Sequence, residues 1–146
     1  MTEVIRLIDI RDTPLAVDEV YDAVRADTAG GVALFVGTVR DHDENKPVEA
    51  LGYSAHSTAM VALQAVVVGV VERRPEVVAA AAVHRVGDLR IGDIAVIVAV
   101  ACTHRGDAFL ACQELIDDLK ASVPIWKHQV FADGGEEWVG TSVSGS

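Results

Sequence analysis

The strand-like segments of this chain come in adjacent pairs set between three helical segments, and that order restricts the fold more than any other feature. Val4, Leu7, Ile8 and Ile10 form a first apolar run, broken by Arg6 and Asp9, that reads as a strand. Thr13 and Pro14 then read as the N-cap and first position of a helix to about Arg25, with Leu15, Val20 and Val24 on one side. Gly30 and Gly31 end that segment. Val32 to Arg40, rich in β-branched and aromatic residues, reads as a buried strand; Asp41 to Pro47 is a polar loop and Val48 to His56 a partner strand. Ser57 or Thr58 can cap a second helix, along which Met60, Leu63, Val67, Val70 and Val71 recur at helical spacing until Pro75. Val77 to Val86 and Ile94 to Thr103 read as two strands joined by a turn from Gly87 to Asp93. Gly106 to Val123 is the clearest helix, with Phe109, Cys112, Ile116 and Leu119 on one face and Pro124 as its stop. Strands Ile125 to Phe131 and Trp138 to Val143, about a turn at Gly134 and Gly135, complete the order, with a frayed tail expected from about 141. The expected fold is therefore α+β, with a mixed, largely antiparallel sheet and about three helices, and not a doubly wound α/β sheet.

A chain of 146 residues, 51% hydrophobic and 23% charged, suits one domain spanning 1–146 with a true core. Against 12 Lys+Arg stand 22 Asp+Glu, and a net charge of −10 argues against a general binder of nucleic acid or anionic membrane. An anionic ligand needs a local basic pocket. Cys102 and Cys112 lie inside apolar runs, where thiols pack as small hydrophobes, so no disulfide framework is expected. The N-terminal residues lack the apolar stretch of a signal peptide, and the longest apolar runs are about half the roughly 20 residues of a membrane span. The expectation is a soluble, cytoplasmic protein.

No glycine fingerprint for nucleotides, P-loop or nucleophile elbow occurs, so the candidate chemistry rests on cations at element ends. Arg40 ends a strand, and His104 and Arg105 stand at the mouth of a helix, where unpaired backbone N–H groups favour an anion. Arg105 is suited to clamp a phosphate bidentately. Lys120 in a last helical turn and Lys127 beyond Pro124 flank an Ile125-Trp126 pair, so both amines can face one pocket wall. Neighbouring cations and partial burial would lower a lysine pKa toward neutrality. The plainer alternative leaves Trp126 in the core and both lysines solvated. His84, Cys102 and His104 are metal-ligand types, but a hairpin centred near Arg90 sets His84 opposite Val96 and His104 opposite about Glu76, with the histidines roughly 26 Å apart. Neither a metal nor a cofactor is expected.

Six landmarks in order resemble the catalytic, large-subunit family of molybdopterin synthase. They are Phe35-Val36-Gly37-Thr38-Val39-Arg40, Met60, His84-Arg85-Val86-Gly87, Thr103-His104-Arg105 with Ala108-Phe109, Asp117 to Lys120, and Pro124-Ile125-Trp126-Lys127. The likeness runs from about residue 32 to Trp138-Val139. It implies an α/β hammerhead fold and a homodimer at the centre of a heterotetramer, each copy binding a small ubiquitin-like sulfur-carrier subunit. The carrier's Gly-Gly thiocarboxylate would give sulfur to cyclic pyranopterin monophosphate, two transfers making the molybdopterin dithiolene.

The resemblance assigns catalysis to Lys120 and Lys127, and substrate contacts to Thr38, Val39, Arg40, His104, Arg105, His128 and Gln129. Lys120 is the expected general acid/base, with Lys127 orienting the substrate or the carrier's tail. His128 and Gln129 stand where the family commonly has a basic residue and a glutamate, His56 where a tyrosine is common, and Arg74 where a tryptophan is usual. A non-catalytic dimeric scaffold binding a phosphorylated ligand or the carrier is the alternative. A fused synthase is not expected, since no ubiquitin-like segment is present and the sequence ends Gly145-Ser146.

Overall fold

The computed structural model describes residues 3–43, 46–131 and 135–140. Their elements, in order, are β1 (Ile5–Arg11), α1 (Val17–Val24), β2 (Gly31–Thr38), β3 (His42–Asp43), β4 (Lys46–Ala55), α2 (Ala59–Arg73), β5 (Val77–Arg85), β6 (Gly87–Leu89), β7 (Ile94–Cys102), α3 (Arg105–Ser122), β8 (Ile125–Phe131) and β9 (Glu136–Gly140). This is the expected α+β class, with the strands divided between two sheets. The first has the order β1-β5-β7-β2, parallel only between β1 and β5. The second runs β3-β4-β8-β9, with β6 also on β4, and is antiparallel throughout. No described helix is long and apolar enough to cross a membrane.

β5 and β7 are covered on both faces, which is why their sequences are nearly unbroken runs of valine and alanine. The pleat sends Ala80, Ala82, Val96, Val98, Val100 and Cys102 toward α2 and α3. Ala79, Ala81, Val83, Ile97, Ala99 and Ala101 face Leu15, Val20 and Val24 around α1. His84 pairs with Val96, the register expected from a hairpin centred near Arg90.

Three departures from the sequence reading have physical causes. α1 starts at Val17, not Pro14, with Ala16 as an N-cap that makes no side-chain bond; Leu15 is already buried against Val20 and Val24 ahead of the first turn. The supposed turn after β5 contains β6, which pairs with Leu51–Tyr53 of β4; Gly87 (φ 96°), its first residue, and Gly92 (φ 90°), beyond its end, supply left-handed bends. α3 buries the expected Cys112, Ile116 and Leu119 together with Ala108, Ala111 and Leu115, but Phe109, expected on that face, is 66% exposed. The stripe of small residues allows α3 close to the sheet, and Phe109 lies about 100° around the helix from Ala108.

Within the expected loop from Asp41 to Pro47, His42–Asp43 pairs with Lys46–Pro47. β9 begins two residues earlier than expected, where Val130 pairs with Glu136. The turn residue Gly134, the end of the last expected strand and the tail from 141 lie outside the described residues.

Candidate active site

Gly30 and Gly31 fix the approach to α3. The Gly30 N–H donates to the Cys102 and Thr103 carbonyls at 3.0 and 3.2 Å, and a Cβ at Gly30 would lie 2.3 Å from the Thr103 oxygen. One at Gly31 would lie 3.0 Å from the Arg105 Cα. The bare backbone therefore lets β2 start hard against the β7–α3 junction and sets where His104 and Arg105 emerge. His104 is the extended N-cap (φ −119°, ψ 141°), its carbonyl accepting from the Ala108 N–H at 3.2 Å. Both side chains are exposed, and among the described residues neither forms an ion pair.

At the other end of α3, Lys120 stands in the last turn. Arg73 holds the Asp118 carboxylate at 2.7 Å and Glu114 at 2.6 Å, so two acids of this helix are engaged by α2. Lys120 forms no ion pair among the described residues. Fifteen residues separate it from Arg105, about 22 Å along the helix axis.

After Pro124, β8 carries Lys127 opposite Tyr53 of β4. Directly opposed residues share a face, so Lys127 points to the side on which Tyr53 packs. Gln129, two residues on, shares that face and is 2% exposed, opposite Leu51. His128 points the other way: it stacks on Trp138 at 4.4 Å and 25°, with Nε2 3.4 Å from Glu136 Oε1. Of the two residues after Lys127, Gln129 accompanies it and His128 does not.

Thr38 ends β2 exposed, beyond a register shift opposite Ile94. Val39 is buried against Leu51, Leu89 and Ala95, its N–H donating to the Asp93 carbonyl (2.9 Å) and its carbonyl accepting from the Gly92 N–H (2.8 Å). Val39 therefore anchors the segment from which exposed Arg40 projects.

Two further residues form the wall of the lysine region. His84, 7% exposed, meets Tyr53 edge-on, with ring centroids 5.1 Å apart and planes at 78°. Its Nδ1 lies 2.7 Å from the Arg85 carbonyl, so that nitrogen carries the proton and donates. Burial pushes the His84 pKa down to about 4 despite that bond, and the Lys120 charge lowers it further. Lys120 thus acts on His84, His84 abuts Tyr53, and Tyr53 opposes Lys127. In the sequence, His84 is legible as a landmark and as a metal-ligand type, and Tyr53 not at all, because its importance depends on the β4–β8 register. A shallow cavity of about 300 Å³ at the end of α1, lined by Tyr21, Asp22, Arg25, Asp27 and Val32, includes none of these residues.

A model of the MoaE protein family matches residues 10–122. The chain belongs to the MoaE family. Molybdopterin synthase catalytic subunit 1 of Mycobacterium tuberculosis is 42% identical over 131 residues, 90% of this chain and 88% of that protein. The catalytic subunit of Bacillus subtilis is 36% identical over 132 residues, 90% of this chain and 83% of its own. The crystal structure of molybdopterin synthase from Staphylococcus aureus matches at a TM-score of 0.83 and 33% identity, covering 90% of this chain and 95% of that one. A Helicobacter pylori structure, described as a complex of subunits 1 and 2 of molybdopterin-converting factor, shares the fold at a TM-score of 0.69 and 22% identity, covering 90% and 89%. The family and enzyme class implied by the six landmarks are borne out.

Two departures of this MoaE-family chain from the usual pattern acquire structural meaning. Arg74 Nε binds Glu114 Oε1 at 2.6 Å, so an ion pair stands where a tryptophan is usual. With Arg73, it ties the end of α2 to the helix that carries Lys120, and these guanidiniums hold the Glu114 pKa below its ordinary value. His56 accepts the Thr58 N–H at Nδ1 (3.1 Å) and meets Trp126 edge-on at 6.0 Å. It thereby serves the start of α2, where Thr58 makes no side-chain cap.

Proposed function

We propose that this chain is the catalytic subunit of a molybdopterin synthase that moves sulfur from the thiocarboxylated C-terminus of a small carrier subunit to cyclic pyranopterin monophosphate. The observation that carries the reading is that Lys127, on β8, opposes Tyr53, whose ring meets His84, while His84 also feels the charge of Lys120 at the end of α3. Lys120, with Asp118 engaged by Arg73, is the general acid/base for opening the cyclic phosphate and removing oxygen. Lys127 orients the anionic reactants. Gln129 lies beside it on the same face, while His128 belongs to the opposite surface.

The 22 Å or so between Arg105 and Lys120 exceeds what one pterin-sized molecule spans, which supports a site completed by a second copy of the chain. In that homodimer the His104 and Arg105 of one copy bind the phosphate beside the lysines of the other. Phe109 and Leu110, 66% and 55% exposed on the turn that follows Arg105, with Phe35 on the adjoining strand, provide an apolar face for such an interface.

The test is reconstitution: purified chain, thiocarboxylated carrier and cyclic pyranopterin monophosphate, assayed for molybdopterin. Product is expected with the intact carrier and not with one lacking its last two residues. Binding of both partners without product would return the chain to the scaffold alternative.

A further inference from the structure

Tyr53 sits where three independent constraints meet. It pairs directly with Lys127 across the β4–β8 ladder, which puts the two Cβ atoms about 5 Å apart on one face. Its ring packs against both the main core and the small cluster around Val39 and Leu51. The edge of that ring pair is fixed by His84, itself tied to the Arg85 carbonyl at 2.7 Å. Among the described residues its hydroxyl makes no hydrogen bond, although the ring is mostly enclosed. A held phenol without a protein acceptor, opposite the Lys127 ammonium, is built to donate to an anion.

We infer that Tyr53 is a further substrate-contacting residue of the lysine site, its hydroxyl donating to the acyl oxygen of the carrier's thiocarboxylate while His84 positions the ring. This rests on the sulfur-transfer reading above. Burial raises the phenol pKa above its ordinary value, so the group stays a neutral donor at working pH. The neighbouring imidazole is also neutral there, and so adds no third cation to the two lysines. Once the carrier's sulfur has bonded to the pterin carbon, water adds to the acyl carbon and the acyl C–S bond breaks, leaving sulfur on the pterin and a carboxylate on the carrier. Charge gathers on the acyl oxygen during that addition, and a fixed donor aimed at that atom serves the transition state more than the ground state.

The experiment uses the enzyme assembled with its carrier and compares the unmodified chain with Tyr53→Phe, His84→Ala and His84→Phe. Tyr53→Phe keeps the ring and its edge contact, so the unfolding midpoint and the KM for the carrier should hold while kcat falls about tenfold or more. His84→Ala should reproduce the fall in kcat, and His84→Phe, which retains a ring against Tyr53, should recover part of it. A kcat for Tyr53→Phe within about twofold of the unmodified chain overturns the donor role. A fall matched by lost carrier binding or lowered thermal stability overturns it as well, as does a His84→Phe no better than His84→Ala for the positioning role. An unmodified chain that makes no product overturns the sulfur-transfer reading itself, and the assignment of Tyr53 with it.

Discussion

The two ends of α3 present cations in contrasting ways. At the N-terminal end, His104 and Arg105 are placed by backbone alone: two glycines bring β2 against the β7–α3 junction, and the helix begins where the chain turns away. At the C-terminal end, Lys120 stands exposed in the last turn, its charge felt by the buried His84 of β5, with the Arg73 and Arg74 ion pairs steadying the helix behind it. The first arrangement suits grasping an exposed anion at a helix mouth. The second sets the Lys120 charge within reach of a buried, neutral imidazole.

The largest effect expected from breaking this contrast is on turnover. Lys120→Ala should lower the rate of molybdopterin formation by roughly 10² to 10⁴, with unfolding free energy within about 0.5 kcal/mol of the unmodified chain, as befits an exposed side chain. Arg105→Ala, at the other end, should weaken pyranopterin binding about tenfold or more through loss of a charge-assisted hydrogen bond. If the two ends serve one site across a dimer, mixing the two variants and allowing subunits to exchange should give, at limiting pyranopterin, more product than either variant alone. A mixture no more active than the sum of its two variants, in dimers shown to have exchanged, would confine each site to a single copy.

The same contrast was unequally legible in the sequence. The start of α3 falls within one residue of where the Thr103-His104-Arg105-Gly106 run sets it, because helix entry is a local matter. The hairpin of β5 and β7 was equally plain, since residues buried on both faces must be apolar throughout. The wall opposite Lys120 was not legible. Tyr53 joins it only through the pairing of β4 with β8, and β6 is three residues whose partner lies more than thirty positions away. Phe109 misled for the converse reason: an aromatic at helical spacing looks like core, yet the packing face that holds Cys112, Ile116 and Leu119 is completed by Ala108, Ala111 and Leu115 and leaves Phe109 outside it. His128 and Gln129 are neighbours in sequence, and the pleat alone sends them to opposite faces.

A moderate effect should appear in acid. His84 is neutral in the fold down to about pH 4 but takes a proton near 6.5 when unfolded, so between those values the unfolded chain binds more protons. Stability should therefore be full above pH 6.5 and fall as pH drops toward 4, at up to about 1.4 kcal/mol per unit. Denaturant unfolding across that window should show the slope, and His84→Phe should flatten it. The smallest effect belongs to the ion pairs behind α3. Glu114, with its carboxyl held below the ordinary range by Arg74 and Arg73, adds stability above its unfolded pKa that is lost as pH falls through the folded one. Since these side chains are partly solvated, Glu114→Gln should cost no more than about 1 kcal/mol at neutral pH by the same unfolding measurement.

The central claim is that Lys120 exchanges protons and does not merely supply charge. Lys120→Arg keeps a cation in the last turn of α3 but cannot deprotonate in the working pH range. With thiocarboxylated carrier and cyclic pyranopterin monophosphate, this variant should bind the carrier as the unmodified chain does and form almost no molybdopterin. Near-native product from Lys120→Arg would show that charge alone suffices and would contradict the acid/base role.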